Sequence, residues 1–188
     1  MRKEILKAAA ARFARYGFQK TTLEEIAADL NKVKSSVYYY FSDKESIFKA
    51  VIENELDGFA VMLKKNVDKA VNPKEKLLVF ITSHFMIFEK LTKGFSTIKE
   101  IYFSKRDIVR KTREKYDERE INMITLILKE GNKTNEFSVK DVKNTALSVL
   151  TAIKGVEQEM LTAESLKKVK AVSKNMALIL VNGISKEK

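Results

Sequence analysis

The sequence predicts an all-α protein of about nine helices, and three observations carry that expectation. One proline and six glycines interrupt 188 residues, so few backbone breakers stand between helix-forming residues. Apolar residues recur three and four apart wherever a pattern exists, and no segment alternates with a period of two. Helix start signals stand at the head of several such segments: Thr22 with Glu25, Ser42 with Glu45, Asn72-Pro73 with Glu75, and Ser138 with Asp141.

In chain order, Ile5, Leu6, Ala9, Ala10, Phe13 and Ala14 mark one buried helix face. Gly17 suits a left-handed stop after the last turn, and Phe18 folds back onto that face. Thr22 and Glu25 form a capping box opening a helix with Leu23, Ile26, Ala27 and Leu30 inward. Asn31 ends it, since asparagine tolerates the positive φ of a tight turn. A third helix begins near Val33–Ser35 and carries Val37, Tyr38 and Phe41. Ser42 with Glu45 launches a long connecting helix over 43–70. Asn72-Pro73-Lys74-Glu75 opens the next, with Leu77, Leu78, Ile81, His84, Phe85 and Phe88 on its inner face, until Gly94 breaks it.

A shorter segment from Phe95 to Lys105 follows, with Ile98, Ile101, Tyr102 and Phe103. Residues 106–120 read as a charged, solvated helix that turns apolar at Ile121, Ile124, Leu126 and Leu128. Gly131-Asn132 with Thr134-Asn135 reads as a loop. Ser138 with Asp141 opens a helix through Ala146, Leu147, Leu150, Ile153, Val156 and Met160, and a last helix covers about Glu164 to Ile184. The expected division is a helix-turn-helix domain over 1–48 and a helical body over 49–188, which binds a ligand and dimerises.

Composition narrows the function. The net charge of +11 suits a polyanionic partner, yet residues 1–50 hold ten Lys and Arg against six Asp and Glu, and the rest of the excess is spread. Bulk charge therefore marks no face. Without cysteine there is no disulfide, thiolate metal site or cysteine nucleophile, which fits a reducing compartment. No signal-peptide core follows Met1, and the longest apolar run, Met176–Val181, is far short of a membrane span. A cytoplasmic protein without membrane contact is expected. An enzyme lacks its parts: the glycines at 17, 58, 94, 131, 155 and 183 make no phosphate loop, and a single histidine supplies no HExxH. No cofactor or metal is called for.

A helix-turn-helix reads DNA by laying its second helix in the major groove, with side chains at its start reaching base edges and flanking groups holding phosphates. Lys34, Ser35 and Ser36 supply that tip. With Val37 and Phe41 inward, Ser36, Tyr39 and Tyr40 lie outward. Lys44 stands in the first turn of the next helix, where the dipole disfavours a cation, so a phosphate contact is the expected reason for it. The helix that Thr22 caps can point amides at a phosphate. The plain alternatives are a serine cap and tyrosines in the core.

In the body, Phe59, Met62, His84, Phe85, Phe88, Tyr102, Phe103 and Met123 have the aromatic and soft character of a site for an apolar or aromatic small molecule; ordinary core is the competing reading for each. Met176 to Val181, including Ile179 and Leu180, is apolar right round its helix. With Leu147, Leu150, Ile153 and Val156 it fits a two-plus-two helix bundle across a two-fold axis, the alternative being burial within one subunit.

The order of these signals resembles the TetR family of bacterial transcriptional regulators. Phe13…Tyr16-Gly17-Phe18, Thr21-Thr22-Leu23…Ile26-Ala27, Val37-Tyr38-Tyr39-Tyr40-Phe41 and Ser42-Asp43-Lys44-Glu45-Ser46-Ile47 carry the resemblance, over roughly residues 3 to 53. It implies a homodimer on a palindromic double-stranded DNA operator, usually a repressor released by a small molecule. By position, Lys34, Ser35 and Ser36 match the base-contacting tip, and Thr22, Tyr38, Tyr39, Tyr40 and Lys44 match backbone contacts. The family's usual Gly-Val turn is Asn31-Lys32 here, and Val33 replaces a common serine, so Lys32 adds a charge for a phosphate contact beside the groove. The alternatives are a ligand-independent architectural DNA-binder and a helical small-molecule-binding protein without a DNA role.

Overall fold

The computed structural model describes residues 1–94, 105–162 and 166–186, without the side chains of residues 91–94 and 106. Among them are eight helices: α1 (Arg2–Lys20), α2 (Leu23–Asp29), α3 (Lys34–Tyr38), α4 (Lys44–Val67), α5 (Pro73–Gly94), α6 (Arg106–Lys133), α7 (Val142–Thr162) and α8 (Leu166–Ile184). The short helix expected over 95–105, with Tyr102 and Phe103, falls outside the described residues except for Lys105. The chain divides into two compact units, one of Met1–Gly58 with Leu91–Glu114, the other of Phe59–Lys90 with Lys115–Lys188. That division differs from a cut after residue 48, because the start of α4 and the first turns of α6 belong with the N-terminal helices.

The first unit is organised by local signals. Gly17 breaks α1 with φ 83° and ψ 162°, a conformation that costs glycine nothing. Beyond it Phe18 turns inward to pack on Phe13 and Phe48, ring centres 5.6 and 5.0 Å away. The Thr22–Glu25 capping box forms as expected: the Glu25 amide donates to the Thr22 hydroxyl, and Glu25 accepts from the Thr22 amide at 2.8 Å. Asn31 takes φ 53° at the turn. The buried faces of α1 to α4 then close on one another through Ile5, Ala9, Phe13, Ile26, Val37, Phe41, Ile47 and Phe48.

Two start signals shift. The cap of α4 is Asp43, whose carboxylate accepts from the Ser46 amide at 2.7 Å while Ser46 Oγ accepts from the Asp43 amide at 3.3 Å. The reciprocal box is thus Asp43–Ser46 instead of Ser42–Glu45, one residue later, and Glu45 is released for another partner. Likewise α7 is capped by Asp141, which accepts from the Asn144 amide at 3.0 Å, three residues beyond Ser138. Asn72 caps α5 as expected, with a 2.8 Å bond from the Glu75 amide.

Helix α6 corrects two further expectations. Residues 112–120 of α6 are charged but not wholly solvated, because Thr112, Tyr116 and Glu120 are buried at four-residue spacing, a stripe that Ile124 and Leu128 continue. Helix α6 also runs on through Gly131. A Cβ there would stand 2.0 Å from the Phe137 ring, so the glycine is what lets the following loop fold back onto its own helix. The loop is held by a bridge between Phe137 and Ser185 and by the Asn132 side chain, which bonds both the amide and the carbonyl of Val139.

Candidate functional site

Helices α2 and α3 and the turn at Asn31 form a short tip. Arg12 braces it from behind: its guanidinium grips Asp29 at the end of α2 with bonds of 2.6 and 2.8 Å and lies 3.3 Å from Glu25. The bidentate fork fixes angle as well as distance, and the bond from Arg12 holds the Asp29 carboxyl below its usual range. Helix α3 has only five residues and no side-chain cap at Val33; Val37 anchors it inward. Turning bonds from Tyr40 and Phe41 back to the Val37 carbonyl extend it.

On that tip the expected residues fall into three groups. Lys32, Lys34, Ser35, Tyr38, Tyr39 and Tyr40 are exposed, Tyr39 at 83 %. The Tyr39 and Tyr40 rings meet edge to face at 5.0 Å. Ser36 is half-buried beside Val37. Lys34 forms an ion pair with Glu24 across the turn and stands 5.2 Å from the Tyr38 ring. The hydrogen bond to Glu24 raises the Lys34 pKa, and the same bond lowers that of Glu24. Both side chains face water, so the pair is weak and exchangeable. Thr22 is exposed, but its hydroxyl already serves the capping box. Val33, at 69 % exposure, is the apolar residue of the tip.

Lys44 departs from expectation. Its ammonium donates to the carbonyls of Phe18, Gln19 and Thr21 at 2.9, 3.2 and 2.9 Å and stands 4.5 Å from the Phe18 ring centre. An ammonium has three protons, and three carbonyls take them. The cation at the start of α4 therefore has a structural reason: it caps the broken end of α1, where the chain turns into α2 and helical partners run out. Burial, and then the positive charge of Lys105, lower its pKa.

In the second unit the histidine is the centre. His84 is fully buried on α5. Its Nε2 lies 3.1 Å from Glu120 Oε2 on α6, and its Nδ1 lies 3.3 Å from Glu157 Oε1 on α7. The first contact has hydrogen-bond alignment and the second does not. Phe59 meets the imidazole edge to face at 4.7 Å, with Phe80 and Phe85 at 6.0 and 6.4 Å. Of the expected pocket residues, Phe59, His84 and Phe85 thus come together; Phe88 and Met123 are half-buried and Met62 is exposed. The carboxylates were missed, although the apolar stripes of α6 and α7 each contain one acid at a buried position. Among the described residues no group of three such side chains is arranged to hold a metal ion, and no helix is long and apolar enough to cross a membrane.

The expected dimer residues also divide. Leu150, Ile153 and Val156 are buried within their own subunit, so they offer nothing to a partner. Helix α8 buries Val169, Ser173, Ala177 and Val181, while Leu147 on α7 and Val172, Leu178 and Ile179 on α8 stay exposed, Ile179 at 61 %. Met176 and Leu180 lie between these classes.

Two family models match the chain. A family model described as bacterial regulatory proteins, tetR family, matches residues 5–51, and one described as QacR-like protein, C-terminal region, matches residues 61–186. The HTH-type transcriptional regulator QacR of Staphylococcus aureus is 25 % identical over 99 % of both chains. The HTH-type transcriptional repressor KstR2 of Mycobacterium tuberculosis is 32 % identical over 47 % of this chain and 44 % of its own. The crystal structure of a transcriptional regulator from Cytophaga hutchinsonii superposes with a TM-score of 0.80 at 26 % identity, covering 98 % of each chain.

Proposed function

The chain belongs to the TetR family of transcriptional regulators, helix-turn-helix proteins that bind DNA, and from that premise we propose that it is a homodimeric repressor of a palindromic operator, released by a small molecule. The observation that carries the reading is the tip of α2 and α3, where Lys32, Lys34, Ser35 and Tyr39 are exposed on and beside a short helix whose inner face is fixed by Val37, with Arg12 bracing the end of α2 behind it. Base readout falls to Lys34, Ser35 and Ser36 at the start of α3, and phosphate contact to Thr22, Lys32, Tyr38, Tyr39 and Tyr40. Lys34 leaves Glu24 for a base edge, an exchange of one charged partner for another. Lys44 is withdrawn from the phosphate contacts, since its protons are engaged.

Pairing of two such heads requires a second copy. The apolar residues that α7 and α8 leave exposed, Leu147, Val172, Leu178 and Ile179, favour a dimer face there in place of the buried Leu150, Ile153 and Val156. Met176 and Leu180 flank it. The effector reading rests on His84 and its surroundings. Aromatic edges from Phe59, Phe80 and Phe85 suit an apolar or aromatic body, and the carboxylates of Glu120 and Glu157 suit a hydrogen-bond donor or a positive charge at one end of it. In this reading the protein acts by binding, in the cytoplasm where its DNA is.

The test is selection of duplexes from a randomised library on the purified protein, followed by titration of the enriched sequence against random DNA over a range of salt. A two-fold symmetric consensus bound by two chains is expected, with a steep salt slope reflecting roughly six to ten phosphate contacts per half-complex. No enrichment over random DNA, or affinity indifferent to salt, refutes the reading.

A further inference from the structure

Lys105, the residue before α6, lies in the same compact unit as the helix-turn-helix. Its ammonium donates to Glu45 Oε1 at 2.5 Å and stands 4.8 Å from the centre of the Phe18 ring. Lys44 occupies the same ring at 4.5 Å while holding the end of α1. One turn further along, Ile108 packs against the core of α1 to α4. Helix α6 therefore begins on the junction that decides where α2 starts. Glu45 is available for this pairing because Asp43 and Ser46 cap α4 between themselves. Two ammonium groups on one ring repel each other, and the Glu45 carboxylate offsets that repulsion.

We propose that Lys105 is a positioning residue for DNA binding: through Glu45 and Phe18 it fixes the start of α6 against the Lys44-capped junction, and so sets the orientation in which α2 and α3 meet the groove. The proposal rests on the DNA-binding reading of the preceding section. Lys105 does not touch DNA in this scheme. Its side chain is only 21 % exposed, and its charge is directed inward at Glu45 and Phe18. Its effect is indirect: a head held in the binding orientation before DNA arrives has less freedom to lose on binding. The ion pair is partly solvated on the Glu45 side, so the coupling is modest in size.

The experiment compares wild type with Lys105→Gln, Lys105→Arg, Glu45→Gln and the double variant Lys105→Gln/Glu45→Gln. Each is titrated, over a range of salt, with the duplex enriched on the wild-type protein. Lys105→Gln is expected to weaken binding about three- to fivefold with an unchanged salt slope. Lys105→Arg should bind like wild type, since guanidinium also pairs with a carboxylate and lies over an aromatic ring. The double variant should lose little more than either single one, as partners in one interaction do. Affinity of Lys105→Gln within about 1.5-fold of wild type overturns the proposal, as do single losses that simply multiply. A salt slope reduced by about one phosphate overturns it differently, making Lys105 a direct phosphate contact. Should the wild-type protein enrich no sequence, the DNA-binding reading itself falls, which is visible before any variant is made.

Discussion

Replacing Lys44 by methionine separates a structural cation from a DNA-contacting one. Methionine keeps most of the stem against the Phe18 ring and removes the three donors. The carbonyls of Phe18 and Thr21 lie in part-buried bonds and that of Gln19 in an exposed one, so water recovers the last but serves the first two poorly. An unmet buried acceptor costs about 1–3 kcal/mol, and partial exposure places each at the lower end. A lost cation–π contact adds about 0.5 kcal/mol, against which the variant is spared the desolvation of the ammonium on folding. The net loss is about 2 kcal/mol, or a melting point lower by about 4–8 °C for a chain of this size. Thermal unfolding followed by circular dichroism measures it, and amide exchange at Thr21 to Glu25 locates it. DNA affinity should fall as well, for every sequence alike. A variant that melts within about 1 °C of wild type yet binds DNA more weakly would refute the reasoning and return Lys44 to the phosphate backbone.

Three further outcomes are expected. Gly131→Ala places a methyl 2.0 Å from the Phe137 ring, and should destabilise the second unit by about 1–3 kcal/mol in chemical unfolding, a penalty that should shrink when it is measured in a Phe137→Ala background. Acid should loosen three helix starts and the Arg12 brace at the end of α2: Glu25, Asp43 and Asp141 at the starts and Asp29 at the brace are all held below their ordinary values by the bonds they accept. Their stabilising contribution is complete above the ordinary carboxylate range and is lost as pH falls through the depressed values, so helicity should hold at pH 5 and decline below about pH 4. Asp43→Asn should make that decline shallower at the start of α4. Glu120→Leu removes the aligned partner of His84 Nε2 and leaves a buried imidazole nitrogen unmet, at a cost of about 1–3 kcal/mol. Restoring His84 to an apolar neighbour with His84→Phe in the same chain should return part of it.

What the sequence made legible were signals that act within a turn or two. Thr22 with Glu25, the positive φ at Asn31 and the break at Gly17 depend on residues at most four apart, and each stands where spacing put it. The start of α4 shows the limit of that reasoning. Ser42 with Glu45 and Asp43 with Ser46 are both good reciprocal caps, and only the packed position of the helix decides between them. The carbonyl partners of Lys44 lie 23 to 26 residues earlier, and nothing local announces a lysine that caps another helix. The same holds for Glu120, 36 residues from His84. An acid inside an apolar stripe was visible in both α6 and α7, but not what it faced. Leu150 and Leu147 are equally apolar in sequence, and only the neighbours they meet distinguish core from face.

His84 and Glu120 sit on different helices, α5 and α6, and each is buried against the other. A lineage that replaced one would leave the other as a buried polar group without its aligned partner, so the two positions form a unit of inheritance. Among chains that keep this body, the histidine and this acid should be retained together or exchanged together for apolar residues, while the surrounding aromatic positions vary one by one.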